Sequence, residues 1–498
     1  MGDGSEQSPL DENRLTAARL AKIDRLRAAG VEPYPYRFER NALAADLHHR
    51  HDDLGPEATT GDQVIVAGRL MGLRHIGSLA FGVLADPSGR IQLFAEERVL
   101  EEGFAVFTDL DVGDWIGAEG EVMTTRRGEL SVRVEKFTLL AKGLRPLPEK
   151  WHGLKDVEQR HRQRYVDLIV NERAREIATK RIATVESLRR SLGERGFLEV
   201  ETPTLHTLPT GGHARPFETH HDALGIDVYL RIALELHLKR LVVGGMERVF
   251  EIGRVFRNEG VSTTHNPEFT MLEVYQALAD YTEMVDLTEA LVVEAAGAVA
   301  GGTEIEFKGN ELSFAAPWAR LDYFGGVSEA TGVDWAPDMD LAAARASAAA
   351  MGIEFDDGWG TGRLAAEVFE ALIEPKLWNP TIVLNFPKEI SPLAREHRSR
   401  PGVVERFEVI VAGTELANAF SELNDPIEQR RRFEAQVAAR AAGDDEAHPM
   451  DEDYLRALEY GLPPTGGMGL GVDRLVMFLT GEESVREVIL FPHLRPES

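Results

Sequence analysis

Between residues 63 and 141 the chain is cut into five short alternating runs, QVIVAGRLMGLR, LAFGVLAD, RIQLFAEE, DWIGAEGEVMTT and LSVRVEKFTLL, separated by turn signals such as DPSGR and TRRGE. Five strands within roughly 80 residues point to a small closed β structure, and the commonest five-stranded version is the oligonucleotide-binding (OB) barrel. A chain of 498 residues also exceeds the size at which one core keeps growing, so a second domain is expected. The stretch LRPLPEKWHGL at 144–154, with two prolines and a glycine, reads as the linker. The expected organisation is therefore a tail and basic helix at 1–60, a barrel at 61–143, a linker at 144–154 and a larger domain at 155–498, with a helical insertion at about 283–375.

Barrels of this kind read single-stranded bases by stacking them on aromatic rings and pairing their edges. Phe81 and Gln92 fall in adjacent runs and offer those two functions, although a phenylalanine so placed is, taken alone, more often a core residue. Charge speaks against a polyanionic partner on average, since 83 acidic residues oppose 55 basic ones for a net −28. Phosphate neutralisation is local, however, and screened beyond about 8 Å at physiological salt. One basic helix is visible at 14–28, where Leu15, Leu20, Ile23 and Leu26 recur near helical spacing and Arg14, Arg19, Lys22, Arg25 and Arg27 lie mostly outside that stripe. It reads either as a solvated face or as a contact for RNA phosphates. The chain has no cysteine, which excludes disulfides and thiolate chemistry. No apolar run spans a bilayer and no signal-peptide pattern follows Met1, so no membrane and a cytoplasmic location are expected.

Residues 246–277, MERVFEIGRVFRNEGVSTTHNPEFTMLEVYQA, read as strand, polar loop and strand. In the first run Val249, Gly253, Val255 and Arg257 share one parity and Phe250, Ile252 and Phe256 the other, which separates a packing face from a working face. In the second, Phe269, Glu273 and Tyr275 place a ring, a carboxylate and a phenol on one face. That set suits a ligand with a flat ring and a positive charge. Upstream, 176–195 reads as a helix with a stripe of Ile177, Ile182, Val185, Leu188 and Leu192, capped at Gly196, and FLEVETPTL as a strand ending at Pro203. The runs 283–299, 338–352 and 362–375 read as helices.

Two further stretches carry chemistry. In PPTGGMGLGVDRLVMFLTG, Gly466, Gly467, Gly469 and Gly471 permit close approach of backbone to a ligand, and Arg474 sits in the first turn of the following helix, where an anion is favoured. In FEVIVAGTELANAFSELND, Asn418, Phe420 and Glu422 share a face, while Glu408 and Glu415 converge only through a turn at Gly413. Those two glutamates are either exposed on an amphipathic strand or bridged by a divalent cation beside phosphate.

FRNEG followed by HNPEFTMLEVY resembles motif 2 of the class II aminoacyl-tRNA synthetases, GLGVDRL resembles motif 3, and the helix and Pro-ended strand at 176–205 resemble motif 1. Together with RPFETHHDAL, VYLRIALELHLKRL, ELANAFSELND and GDDEA in family order, the resemblance to bacterial class II lysyl-tRNA synthetases covers about residues 14–496. It implies an α+β chain, an N-terminal five-stranded OB-fold barrel followed by a class II catalytic domain of antiparallel sheet flanked by helices, acting as a homodimer on ATP, L-lysine and tRNA(Lys). Residue by residue it implies that Arg257 holds the α-phosphate and substrate carboxylate and that Arg474 takes the γ-phosphate. Glu259, His265 and Phe269 would shape the ATP site, with Phe269 stacked on adenine. Glu408 and Glu415 would be the metal ligands among about three Mg²⁺ ions bound with ATP. Gly211, Glu235 and Glu273 would receive the α-amino group, Tyr275, Asn418, Phe420 and Glu422 would form the side-chain pocket, and Arg74, Phe81, Gln92 and Glu129 would read the anticodon.

The chain departs from the family pattern in places. Leu234 stands where the family usually has Pro, His237 where it has Tyr or Phe, Pro209-Thr210-Gly211-Gly212 where it has PGGA, and Ser78 where it has Lys. These departures fit a specialised, inhibitor-tolerant copy as well as the ordinary enzyme. A protein-lysylating paralogue is disfavoured by the barrel. A non-catalytic tRNA-binding protein would have no need of Arg257, Arg474, Glu408 and Glu415.

Overall fold

Period-2 alternation turns one row of each run inward, and a row of apolar side chains is what a barrel needs to fill its centre. The structure is a computed structural model that describes residues 9–148, 154, 156–209, 214–441 and 450–496; Gly211 and the GDDEA run at 443–447 lie outside them. It divides into two compact units, Met1–Leu154 and Lys155–Ser498. In the first, β1 (Thr59–Ile76), β2 (Leu79–Ala85), β3 (Arg90–Glu96), β4 (Trp115–Thr124) and β5 (Leu130–Ala141) close a barrel in the order β1-β2-β3-β5-β4. Only the β3–β5 pairing is parallel. Val66, Leu70, Leu93, Ile116 and Val132 fill its core.

The basic helix extends over α1 (Pro9–Ala28). Ile23 is buried and Leu26 packs against the barrel core, but Leu15 and Leu20 are 40% and 46% exposed, so the apolar stripe is shorter than its spacing suggests. Arg19, itself buried, donates to the carbonyls of Gly143 at 2.9 Å and Arg145 at 3.0 Å. Lys22 donates to Asp109 O at 2.7 Å and Asp111 Oδ1 at 3.1 Å, and Arg25 lies 3.5 Å from Asp109 Oδ2. Of the two readings of this helix, a solvated face and a phosphate contact, neither describes Arg19, Lys22 and Arg25, which are engaged by the chain itself, while Arg14 and Arg27 stay exposed.

In the second unit α2 (Glu172–Glu194) buries Ile177, Leu188 and Leu192, whereas Ile182, expected in the stripe, is 65% exposed. Gly196 ends it with φ +78, its N–H reaching Gly193 O at 3.0 Å, a left-handed geometry that a side chain would strain. The following run forms only the two-residue strand β6 (Leu198–Glu199) instead of a strand to Pro203. Then come α3 (Glu235–Val243), β7 (Arg248–Phe256), β8 (Glu268–Ala277), α4 (Tyr281–Ala300), β9 (Ala319–Asp322), β10 (Thr381–Leu384), β11 (Arg406–Val411), β12 (Thr414–Ser421), α5 (Glu452–Glu459), β13 (Thr465–Gly471) and α6 (Val472–Thr480). The strands form one eight-stranded sheet, β9-β10-β11-β12-β13-β8-β7-β6, antiparallel except at its two edges. Leu291 and Val292 of α4 and Val476 of α6 share a core with Leu272, Leu416 and Leu470 of the sheet. Leu238 of α3 and Leu455 of α5 pack with Val249 and Tyr275.

Two expectations change. The segment at 283–375 is not a helical insertion throughout: α4 belongs to the main core, Glu304–Phe307 and Asn310–Ser313 form a hairpin, and β9 extends the sheet. Nor does β7 divide into a packing and a working face, since Val249 and Val255 are buried on one side and Phe250 on the other. No described helix is long and apolar enough to cross a membrane.

Arg19→Ala should destabilise the first unit by about 1–3 kcal/mol, because the carbonyls of Gly143 and Arg145 lose a charged, buried donor. Thermal unfolding of the full chain checks this, and an unchanged first transition would show that Ile23 and Leu26 hold α1 alone.

Candidate active site

Pairing register builds the site as cross-strand rows. One row runs Glu408, Asn418, Gly469, Glu273 across β11, β12, β13 and β8, and the next runs Arg406, Phe420, Gly467, Tyr275. Because side chains on one face of a strand recur every second residue, Phe269, Glu273 and Tyr275 all point to this side, while Leu272 and Val274 enter the core behind. Above the rows lies a cavity of about 490 Å³. Arg257, Glu259, His265, Phe269, Glu408, Glu415 and Arg474 line it, and so do Glu235, Glu273, Tyr275, Asn418, Phe420 and Glu422. Every residue expected in the ATP and amino-acid sites is thus brought together, save Gly211, which is not described.

The first group is cationic around an acidic pair. Arg257 follows β7, its guanidinium 5.2 Å from the Phe269 ring centroid. Arg474, in the first turn of α6, donates to Glu415 O at 2.6 Å and lies 3.4 Å from His265 Nε2. Burial, then Arg474 and Arg257, lower the pKa of the His265 imidazole from its ordinary value. Glu408 and Glu415 meet through the turn at Ala412-Gly413. Burial and then the neighbouring Glu415 push the Glu408 carboxyl up to about 8. Two carboxylates that repel each other in a cavity flanked by arginines suit a hard divalent cation shared with phosphate oxygens.

The second group is a box of carboxylates. Glu235, Glu273 and Glu422 are 8%, 4% and 1% exposed. Glu273 accepts from Leu234 N at 3.0 Å and from Tyr275 Oη at 3.0 Å, yet burial, with Glu235 adding to it, raises its carboxyl to about 7. Both oxygens of Glu422 lack a hydrogen-bond partner of good geometry, although Lys239 Nζ touches Oε2 as an ion pair. A proline at 234 would have no N–H, so the Leu234 departure supplies Glu273 with a donor. His237 pairs with His206 at 4.6 Å between ring centroids, and burial with this second imidazole lowers His206 to about 4.

A second candidate surface lies on the barrel. Ala80 and Leu84 of β2 enter the core, whereas Phe81 faces outward, with Arg74 over its ring at 5.2 Å and Phe94 beside it at 5.4 Å. Gln92 Nε2 donates to Ser131 Oγ at 2.8 Å, and Ser131 Oγ donates to Glu129 O at 3.1 Å. Arg74 and Phe81 are thus in contact, Gln92 is tied through Ser131 to the backbone of Glu129, and Phe81 is no core residue.

The sequence pattern described as tRNA synthetases class II (D, K and N) matches residues 156–495, and that of the OB-fold nucleic acid binding domain matches 64–140. A protein named lysine–tRNA ligase from Moorella thermoacetica is 53% identical over 487 residues, covering 98% of this chain and 99% of its own. Proteins of that name from Thermosynechococcus vestitus and Gloeobacter violaceus are 52% and 51% identical over 97% and 98% of this chain, and 97% and 99% of their own. The chain belongs to the lysine–tRNA ligases of synthetase class II.

Sequence reasoning about this class II ligase missed three residues. Arg406 bridges Asn418 Oδ1 at 3.1 Å and Glu408 Oε1 at 2.5 Å, and its position two before Glu408 on one strand was the signal. Arg231 forms a buried pair with Glu251 at 2.7 Å behind Glu273. Lys239, four after Glu235 on one helix face, donates to it at 2.5 Å. Of the four glycines before Arg474, Gly467, Gly469 and Gly471 line the cavity, and Gly467 has a further purpose. A Cβ on Gly467 would lie 1.9 Å from Glu422 Oε1 and 2.6 Å from Tyr275, so this glycine makes room for the pocket acids and not for a phosphate.

Gly467→Ala should therefore displace Glu422 and raise the KM for lysine by roughly 100-fold while moving that for ATP by less than about fivefold. Steady-state pyrophosphate exchange checks this, and equal changes in both constants would show that β13 shapes the whole cavity instead.

Proposed function

We propose that this chain activates L-lysine with ATP as lysyl-adenylate and transfers it to the 3′ end of tRNA(Lys). The observation that carries the reading is the buried trio Glu235, Glu273 and Glu422 in a cavity that also holds Arg257 and Arg474. A substrate with an ammonium at each end answers three buried acids, whereas aspartate or asparagine would leave them unpaired.

In the first step the lysine carboxylate attacks the α-phosphorus of ATP and pyrophosphate leaves. Arg257 holds the α-phosphate and the attacking carboxylate, Arg474 holds the γ-phosphate, Phe269 stacks on adenine, and Glu259 and His265 bound the nucleotide. Glu408 and Glu415 would hold Mg²⁺, which would offset triphosphate charge. Glu235, Glu273 and Gly211 take the α-ammonium, and Tyr275, Asn418, Phe420 and Glu422 enclose the side chain. In the second step a terminal ribose hydroxyl of tRNA attacks the activated carbonyl, the acyl–phosphate bond breaks and AMP leaves. No side chain acts as nucleophile, so positioning and charge neutralisation account for the rate. The barrel face of Arg74, Phe81, Gln92 and Glu129 reads the anticodon. A homodimer in the cytoplasm completes the reading.

Arg257→Ala should lower lysine-dependent pyrophosphate exchange by roughly 10³-fold or more, and charging of tRNA transcripts should collapse when the middle anticodon base is changed. Near-full exchange by the variant would reject the activation reading. Charging indifferent to that base would reject the barrel's role.

A further inference from the structure

Lys239 is fully buried, and every charge it meets belongs to the lysine pocket. Its ammonium donates to Glu235 Oε1 at 2.5 Å, touches Glu422 Oε2 and lies 5.4 Å from the Phe420 ring centroid. Glu273 and Tyr275 face the cluster from β8 and Tyr454 from α5. Arg240, the next residue on α3, turns away to Asp451 and Asp453 at 3.2 Å. The flanking acids keep Lys239 protonated despite its burial. On the carboxylate that Lys239 touches, Glu422 Oε1 is buried with no hydrogen-bond partner among the described residues.

We propose that Lys239 is a specificity-determining positioning residue: its fixed ammonium neutralises one of the three pocket carboxylates and leaves two for the two ammonium groups of the substrate. This rests on the lysine-activating reading above. The charge count decides which amino acids are accepted. With all three carboxylates ionised, one lysine leaves two negative charges in a buried pocket, and an unpaired buried carboxylate is costly. A diamino acid cancels both charges. A monoamino acid of similar length leaves one carboxylate that must take up a proton, so it is rejected by charge before shape is tested. Lys239 also sets the proton inventory. Without it Glu273 and Glu422, whose carboxyls burial already raises, lose the cation that offsets that rise, both keep their protons to higher pH, and lysine must displace those protons to bind.

The test is pyrophosphate exchange by full-length wild type, K239M, K239Q and K239R at several pH values. Glu273, raised to about 7 in the wild type, receives an ammonium only when ionised, so the KM for lysine should fall as pH rises through that value. In K239M and K239Q it should be higher by roughly tenfold or more at pH 7, with the KM for ATP within about twofold, and its fall should move to higher pH. K239R, which keeps the charge, should restore the wild-type profile. An unmoved pH profile in the neutral variants, or equal rises in both constants, would overturn the role of Lys239. Should the neutral variants fail to fold, the wild type decides by calorimetry in buffers of different ionisation enthalpy: lysine should release more protons on binding than 6-aminohexanoate, which lacks the α-ammonium. Equal release would overturn the charge match. A wild type without lysine-dependent exchange would instead reject the activation reading itself.

Discussion

Three carboxylates buried over a sheet have to be neutralised from within the fold, and much of the second unit can be read as the answer to that demand. β8 contributes Glu273 and, two residues on, the Tyr275 hydroxyl that donates to it. The N-terminal end of α3 contributes the Leu234 N–H, and its first turn presents Glu235 with Lys239 one turn below. β13 is glycine where Glu422 and Tyr275 cross it, because a Cβ there would occupy their space. Hydrophobic packing on the far face through α4 and α6 holds these strands in register, and a register slip of one residue would exchange the acids for core side chains.

The same sheet carries an opposite problem one row away. Glu408 and Glu415 face a cavity flanked by Arg257, Arg406 and Arg474, so anionic and cationic groups alternate across a few strands. A chain with net charge −28 thereby presents local positive charge where a triphosphate has to be held. Net charge says little about such a site, since interactions at hydrogen-bond range are set by the nearest groups.

Much of this was legible in the sequence because it depends on short-range patterns. The five barrel runs are bounded by turns and alternate cleanly, and β1 to β5 follow them within a few residues. Phe269, Glu273 and Tyr275 share a parity, and strand geometry turns that parity into a face. What escaped depends on tertiary contact. β7 lies between two packed layers, so alternation carried no facing information there. Ile182 has helical spacing yet stays exposed, and Leu15 and Leu20 likewise. Arg19 looked like a phosphate contact until the carbonyls of Gly143 and Arg145 came beside it. Gly467 looked like a phosphate turn because the acid it accommodates is 45 residues away in sequence. Lys239 drew no attention because Glu422, which it touches, is distant in sequence.

The central claim is that a buried, charge-matched box of acids selects lysine. Pyrophosphate exchange by the purified full-length chain, with each of the twenty amino acids supplied singly at equal concentration, tests it most directly. The account predicts strong exchange with lysine and at most about a hundredth of that rate with aspartate, asparagine or methionine. Comparable exchange with any of these, none of which carries two ammonium groups, would contradict it.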